Sequence, residues 1–326
     1  MGTSLWSLAD LCTPWCLHVA ATLRVAEQIV AGVDRIEDIA AAAKCNAAVL
    51  HGVLQHLAKR GVFEERETGR FALNEMAKGL LDPALRLGLD LEGIGGRMAY
   101  AWSTLPTYVR TGEPAYQDVF GKPFWEDLEA NPEIAASFDA LMGPLGHGVP
   151  DPDFPLAEGW ERVRTVVDVG GGTGALLAEI LRARPGVHGI LVDLPGTVAR
   201  SAEILRAAGV ADRVKAIGQS FFDPLPASAD LYVLKGVLND WPDREAAAIL
   251  RRCAEAARPD GRVVVLKGVV PDGVPKGFSI SDLLVGGKTR TVGEFRELAR
   301  GGGLEVVAVG RQASGPSVVE CRPLAQ

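Results

Sequence analysis

The chain has 326 residues, of which 48% are hydrophobic and 23% charged, and its formal net charge at pH 7 is -7. Such a length fits two globular domains better than one. The acidic balance argues against nucleic acid or a membrane as a partner, because both attract clustered Lys and Arg. The first six residues lack the basic start and apolar core of a signal peptide, and no apolar run is long enough to cross a bilayer. We therefore expect a cytoplasmic protein.

Five cysteines are scattered along the chain without a Cys-x-x-Cys spacing. Cys12 and Cys16 are one helical turn apart with His18 nearby, a spacing compatible with two metal ligands on one face. The favoured interpretation is that these thiols are reduced and pack as small apolar side chains. On that interpretation, neither a metal site nor a disulfide is expected.

The first 90 residues follow the element order of a winged helix. Apolar spacing predicts a helix from Ser7 to Ala31, buried on several sides, and two further helices from Ile36 to Ala43 and from Ala47 to Lys59. Two short strands around a charged, glycine-closed turn follow over residues 61–73. In DNA-binding proteins of this order the third helix enters the major groove, which makes a transcription factor the alternative to weigh.

The wing itself disfavours DNA binding, because it carries Glu64, Glu65 and Glu67 and residues 1–90 hold about as many acids as bases. We interpret residues 1–90 as a dimerisation domain and expect a homodimer. Residues 91–158 are helical in pattern and rich in aromatic side chains, which predicts a substrate-pocket and linker region. It ends in a segment rich in Pro and Gly, residues 143–155, that cannot sustain a helix.

Residues 159–326 alternate strands and helices, beginning with a strand from Thr165 to Val169 and a helix from Ala175 to Ala183. This alternation predicts an α/β, Rossmann-like domain with a mostly parallel, doubly wound sheet, and its closing pair of strands predicts an antiparallel edge. Ligands of such domains bind at the carboxyl ends of the strands.

The turn after the first of these strands runs from Asp168 through Gly170, Gly171 and Gly172 to Gly174. Glycines allow the backbone to approach a ligand, and the next helix presents its N-terminal amides. The spacing does not match Gly-x-Gly-x-x-Gly. The second strand ends in Asp193, where a carboxylate accepts hydrogen bonds from ribose hydroxyls. Together with an aromatic segment at Ser220 to Pro224, this pattern indicates a nucleoside cofactor.

Four motifs, at Val166 to Gly174, Val192 to Pro195, Ser220 to Pro226 and Lys235 to Trp241, resemble the class I O-methyltransferases of plant and bacterial secondary metabolism, which use S-adenosylmethionine (SAM). The resemblance covers nearly the whole chain. It implies a winged-helix dimerisation domain, a SAM cofactor and a small aromatic substrate. It implies a set of SAM contacts: Asp168, Gly170, Gly172, Asp193, Leu194, Ser220, Phe221 and Lys235. It also implies a substrate pocket: Trp102, Met142, Trp241 and Thr289.

The resemblance fails at the catalytic position. Phenol-methylating members carry a histidine base where this chain has Asn239, and their two flanking glutamates fall on Lys267 and Thr289. An amide has no useful basicity. Candidate catalytic residues are therefore Asn239, Asp240 and Lys267.

Two interpretations of this site compete. In one, methyl passes to an O or N atom of an acidic phenol or an arylamine, which needs no strong base. In the other, SAM is bound while the pocket does non-methylating chemistry such as hydroxylation or cyclisation. The structural alternative is that Asn239 and Asp240 only cap the helix after Trp241, and that Lys267 extends into solvent.

Overall fold

The computed structural model describes residues 5–325, so the first four residues of the start considered for a signal peptide lie outside it. The chain forms two compact units, residues 1–100 and 101–326. Within residues 5–325, no helix is both long and apolar enough to cross a membrane. The domain boundaries at residues 90 and 158 stay predictions.

The first unit consists of short helices and one antiparallel hairpin. The helices are α1 (Leu5–Leu8), α2 (Cys12–Thr22), α3 (Val25–Val30), α4 (Ile36–Ala42), α5 (Ala47–Lys59), α6 (Pro83–Leu89) and α7 (Ile94–Ala101), the last ending at the boundary. Strands β1 (Phe63–Glu67) and β2 (Arg70–Leu73) form the hairpin. The predicted third helix and the hairpin are thus confirmed.

The predicted single helix from Ser7 to Ala31 is wrong. Asp10 accepts hydrogen bonds from the backbone amides of Cys12 and Thr13, at 2.9 and 3.3 Å, and so begins α2 anew. Arg24 adopts a left-handed conformation with φ of 55° and separates α2 from α3. Apolar periodicity continues through both breaks, which is why it does not reveal them.

The second unit begins with short helices that mostly end at glycines: α8 (Leu105–Thr111), α9 (Gln117–Phe120), α10 (Phe124–Ala130), α11 (Pro132–Met142) and α12 (Pro144–His147). Gly112 and Gly121 take the left-handed conformation that closes α8 and α9. The segment rich in Pro and Gly contains the single turn α12, against the prediction that it holds no helix, because Pro144 occupies a first-turn position that tolerates proline.

The remainder of the second unit alternates strands and helices. The strands are β3 (Thr165–Val169), β4 (His188–Asp193), β5 (Val214–Gly218), β6 (Leu231–Lys235), β7 (Arg262–Leu266), β8 (Val269–Val270), β9 (Arg290–Thr291), β10 (Leu304–Arg311) and β11 (Ser317–Pro323). The helices are α13 (Ala175–Ala183), α14 (Pro195–Ala199), α15 (Ser201–Ala207), α16 (Asp243–Ala257), α17 (Ile280–Val285) and α18 (Val292–Gly301).

Seven strands form the central sheet in the order β10-β11-β7-β6-β3-β4-β5. Strands β7, β6, β3, β4 and β5 are parallel, and β10 and β11 add the antiparallel edge, as predicted. Helices cover the sheet, and the side chains of Val166, Val167 and Val169 are wholly buried. Because the parallel strands end at one edge, the residues after β3, β4, β6 and β7 meet there.

Candidate cofactor and substrate site

The glycine turn joins the end of β3 to α13 through left-handed backbone. Gly170 has φ of 66°, and a Cβ atom there would lie 2.8 Å from Cγ2 of Val237. Gly172 has φ of 60°, and a Cβ atom there would meet nothing within 4 Å. Gly170 is therefore required by packing inside the protein, whereas Gly172 faces open space that a ligand can fill.

Asp193 at the end of β4 lies against this turn. Its Oδ2 accepts a hydrogen bond from the amide of Gly172 and its Oδ1 one from the amide of Leu194, both at 2.7 Å. Burial raises the pKa of the Asp193 carboxyl, and these two amides oppose that rise. Each carboxylate oxygen keeps a lone pair, so the group can still accept hydrogen bonds from ribose hydroxyls.

Asp168 lies behind the turn and is 1% exposed. Among residues 5–325 its Oδ2 has no hydrogen-bond partner. Burial raises the pKa of the Asp168 carboxyl to about 7, although the ammonium of Lys235 favours its charged form. Burial and the neighbouring ammonium of Lys267 lower the pKa of Lys235. An orphaned buried acceptor beside an open glycine turn fits a polar ligand.

An aromatic group flanks the turn on the β5 and β6 side. The Phe221 ring lies 3.4 Å from the position of a Cβ atom on Gly170. The ring of Trp241 stands edge-on to Phe221 at 5.9 Å and to Phe222 at 5.1 Å. Oγ of Ser220 accepts a hydrogen bond from the Phe222 amide at 3.2 Å, which holds the segment in its turn. These faces suit a flat heteroaromatic ring.

Asn239 and Asp240 occupy a 3₁₀ turn, Leu238–Asp240, after β6. Nδ2 of Asn239 donates a hydrogen bond to Oδ1 of Asp240 at 3.0 Å. The capping interpretation is wrong, since α16 has Pro242 at its N-cap and no side chain bonds its first amides. The two side chains bond each other instead.

The Asp240 carboxyl has an unusual environment for a carboxylate. Burial raises its pKa to about 7, while the ammonium of Lys267 and the hydrogen bond from Asn239 oppose that rise. Lys267 is exposed and has a left-handed φ of 69°, a conformation that costs a lysine free energy. A carboxyl that titrates near neutral pH can take up a proton at physiological pH.

Gly268 packs against Asn239, because a Cβ atom on Gly268 would lie 2.9 Å from both Cβ and Oδ1 of Asn239. Within the described part of the chain, Oδ1 of Asn239 is a buried acceptor with no partner. The amide is therefore oriented by Asp240 alone, and its orientation depends on Asp240 remaining an acceptor.

Sequence reasoning missed Arg290, which is 2% exposed. Its guanidinium donates to the carbonyls of Leu238 at 2.7 Å and Trp241 at 2.8 Å, and to Oδ1 of Asp243 at 2.9 Å. Arg290 thereby fixes both ends of the turn that carries Asn239 and Asp240. Arginine is usually exposed, so the residue type alone gives no signal of this buried role.

The other predicted pocket residues lie apart from this group. Trp102 is 46% exposed, with its ring 5.9 Å from that of Phe278, and Met142 is 43% exposed at the end of α11. Thr289 lines a cleft of about 400 Å³ together with Tyr108 and Pro242, and no glycine-turn residue lines that cleft. The structure thus joins Trp241 to the aromatic group but leaves the pocket roles of the other three as predictions.

Known proteins are similar to this chain in sequence and in fold. A profile of the O-methyltransferase domain matches residues 102–305. A 2,7-dihydroxy-5-methyl-1-naphthoate 7-O-methyltransferase of Streptomyces carzinostaticus is 41% identical over 98% of this chain and 97% of its own length. An aclacinomycin 10-hydroxylase of Streptomyces purpurascens is 39% identical over 93% of this chain and 84% of its own.

A crystal structure of an O-methyltransferase from neocarzinostatin biosynthesis, in complex with SAM and 2-hydroxy-5-methyl naphthoic acid, superposes with a TM-score of 0.91 at 39% identity, covering 99% of both chains. The open backbone at Gly172 and the orphaned carboxylate oxygen of Asp168 fit such a nucleoside cofactor. The chain belongs to the family of SAM-dependent O-methyltransferases.

Proposed function

We propose that SAM is held along the edge formed by the ends of β3, β4 and β6. Gly172 lets the backbone approach it, and Gly170 allows the turn beside it to pack on Val237. Asp193 accepts hydrogen bonds from its ribose, and Phe221 packs against its adenine. Bound SAM supplies an electrophilic methyl group on a sulfonium. Asp168, Leu194, Ser220 and Lys235 complete the contacts by shaping the turns and charges around these groups.

We propose that the methyl acceptor is an O–H or N–H group on a small aromatic secondary metabolite and that Asp240 takes up its proton. The observation that carries this proposal is the environment of the Asp240 carboxyl. Its pKa is raised to about 7, and it accepts a hydrogen bond from Asn239, the residue that aligns with the histidine of the phenol-methylating members. Lys267 stabilises an anionic oxygen as it forms. Trp102, Met142, Trp241 and Thr289 are proposed to contact the aromatic body.

The test is incubation of the purified protein with methyl-labelled SAM and a panel of phenols and arylamines. We expect label in a product of at least one acceptor, and loss of most of that activity in Asp240→Asn. Binding of SAM without label in any product would contradict methyl transfer. An Asn239→His variant that gains activity on weakly acidic phenols would support the alignment of Asn239 with the family's histidine.

A second candidate function is SAM-dependent chemistry without methylation. It is favoured by the loss of the histidine and by the similarity to a relative named as a hydroxylase. In that case SAM is not consumed while substrate disappears. Quantifying SAM and S-adenosylhomocysteine alongside the substrate separates the two functions, because only methyl transfer forms S-adenosylhomocysteine in step with product.

We also propose that the protein is a cytoplasmic homodimer that binds no nucleic acid. The first unit supports this through exposed apolar side chains, including Leu8 at 72% and Leu11 at 74% exposed. Sedimentation equilibrium that gives the monomer mass at all concentrations would contradict the dimer. A gel-shift assay at low salt should detect no DNA complex.

A further inference from the structure

Two cysteines and one histidine of the first unit converge outside the site described above. Cys12 and Cys16 occupy successive turns of α2, and their Sγ atoms are 3.9 Å apart. A ring nitrogen of His56, from α5, completes a group in which all three ligand atoms lie within 4.8 Å of one another. His18, the histidine expected nearby from the sequence, instead bonds the carbonyl of Leu89 at 2.7 Å.

The spacing of these atoms suits a tetrahedral zinc site. With Zn–S bonds of about 2.3 Å, two thiolates on one tetrahedral ion are about 3.8 Å apart, close to the separation of Cys12 and Cys16. A nitrogen ligand would lie about 3.5 Å from each sulfur, so the ring nitrogen of His56 must move roughly 1 Å towards the two sulfur atoms when the metal binds. Two thiolates neutralise a divalent cation, and sulfur with imidazole is a donor set that Zn²⁺ prefers over Mg²⁺ or Ca²⁺.

Neighbouring groups already orient the ligands. The Thr13 hydroxyl donates to Oδ2 of Asp10 at 2.5 Å and bonds Nε2 of His56 at 2.8 Å. Asp10 also accepts from the Cys12 amide at 2.9 Å and from Arg60 at 3.1 Å. A carboxylate and a hydroxyl behind the ligands resemble the outer shell that fixes metal-binding histidines.

We propose that Cys12, Cys16 and His56 bind one Zn²⁺ per chain, with water as the fourth ligand. Both thiols lose their protons to solvent as the two Zn–S bonds form, so binding releases two protons and no group is oxidised or reduced. The metal joins the start of α2 to the end of α5 and thereby adds a covalent-like link to the hydrogen bonds that Thr13 and Asp10 already make with α5 and the residue after it. The competing outcome is that the thiols are only packed side chains.

The experiment uses the full chain, reduced and freed of metal with a chelator, and titrated with Zn²⁺ against a chromogenic competitor. We expect one tightly bound Zn²⁺ per chain, with Cys12→Ser and His56→Gln each weakening affinity by at least about 100-fold. Cys45→Ser is the matched control, since Cys45 is a partly exposed free thiol of the same unit outside the cluster. It should bind as the parent does.

Co²⁺ in place of Zn²⁺ supplies a readout that does not depend on activity or stability. Thiolate-to-cobalt charge-transfer absorption should appear in the parent and Cys45→Ser and be absent from Cys12→Ser. Cys12 is exposed, so this variant should fold even if changing the buried Cys16 does not. Binding of less than one Zn²⁺ per parent chain would overturn the proposal. A loss of Zn²⁺ affinity in Cys45→Ser as large as that in Cys12→Ser would overturn it too. Methyl transfer serves as a separate assay, because it can fail without affecting zinc binding.

Discussion

Replacing Asp240 with Asn removes the one group whose pKa lies near physiological pH in the turn Leu238–Asp240, which is proposed to be catalytic and is called the catalytic turn below. The two side chains have nearly the same shape, so the change isolates the charge. If Asp240 takes up the substrate proton, kcat should fall by about 10²–10⁴-fold, the usual contribution of a general base. The parent enzyme should lose activity below pH 7 by about tenfold per pH unit, because only the ionised carboxylate accepts a proton.

The same substitution should lower activity but raise stability at alkaline pH. The pKa of Asp240 is raised from its ordinary value of 3.8 to about 7, so the folded protein holds this proton more tightly than the unfolded chain. Stability contributed by the protonated form is therefore lost as pH rises from about 4 to 7, up to a limit of about 4 kcal/mol. Asp240→Asn should be more stable than the parent at pH 8 and no more stable at pH 4.

The assay is a pH series of kcat/KM with a weakly acidic phenol that stays un-ionised over the range, so that the acceptor itself does not titrate and still requires a base. Urea unfolding at pH 4 and pH 8 measures stability in parallel. Asp260→Asn, which changes an exposed carboxylate after α16, is the control and should alter neither measurement. If kcat/KM of Asp240→Asn still fell below pH 7 as it does in the parent, the assignment of Asp240 as proton acceptor would be refuted.

Three further predictions concern the cofactor edge and the turn behind it. Gly172→Ala and Gly209→Ala strain similar backbones, with φ of 60° and 69° and nothing within 4 Å of either Cβ. Both should lower stability by about 1–2 kcal/mol, but only Gly172→Ala should weaken SAM binding in calorimetry. Asp193→Asn should weaken SAM binding by about tenfold or more, whereas exposed Asp212→Asn should not; equal affinities would contradict the ribose role. Arg290→Met removes the guanidinium donors of the buried Leu238 carbonyl and the partly buried Trp241 carbonyl, so urea unfolding should show a loss of about 3 kcal/mol. An unchanged stability would contradict the role of Arg290 in fixing the two ends of the turn.

The local sequence pattern was sufficient to predict that the cofactor binds at the edge formed by the ends of β3 and β4. A buried strand followed by glycines, and a second strand ending in Asp193, are both readable because each depends on residues adjacent in sequence. The structure added what sequence distance hides: Gly170 is required by Val237, 67 positions later in the numbering, and Asp168 is left with an orphaned oxygen.

The catalytic turn was less predictable for the same reason. Asn and Asp shortly before a Pro, as in Asn239-Asp240-Trp241-Pro242, are typical of a helix cap. The bond between Asn239 and Asp240 instead follows from tertiary contacts with Gly268 and Arg290. The first unit shows the same limit, since helical spacing paired Cys12 with Cys16, whereas only the packing of α2 on α5 brings His56 to them.

On the proposed mechanism, the exchange of histidine for Asn239 moves the proton acceptor to Asp240 rather than deleting it. A histidine base is charged after it takes the proton, whereas Asp240 becomes neutral, and a neutral carboxyl is favoured by the same burial that raises its pKa. Proton uptake at Asp240 also removes the negative charge beside the Asn239 amide and leaves the Lys267 ammonium without its counter-charge. Product release and proton loss are thus expected to be coupled, so a solvent isotope effect on kcat should be larger in the parent enzyme than in Asp240→Asn.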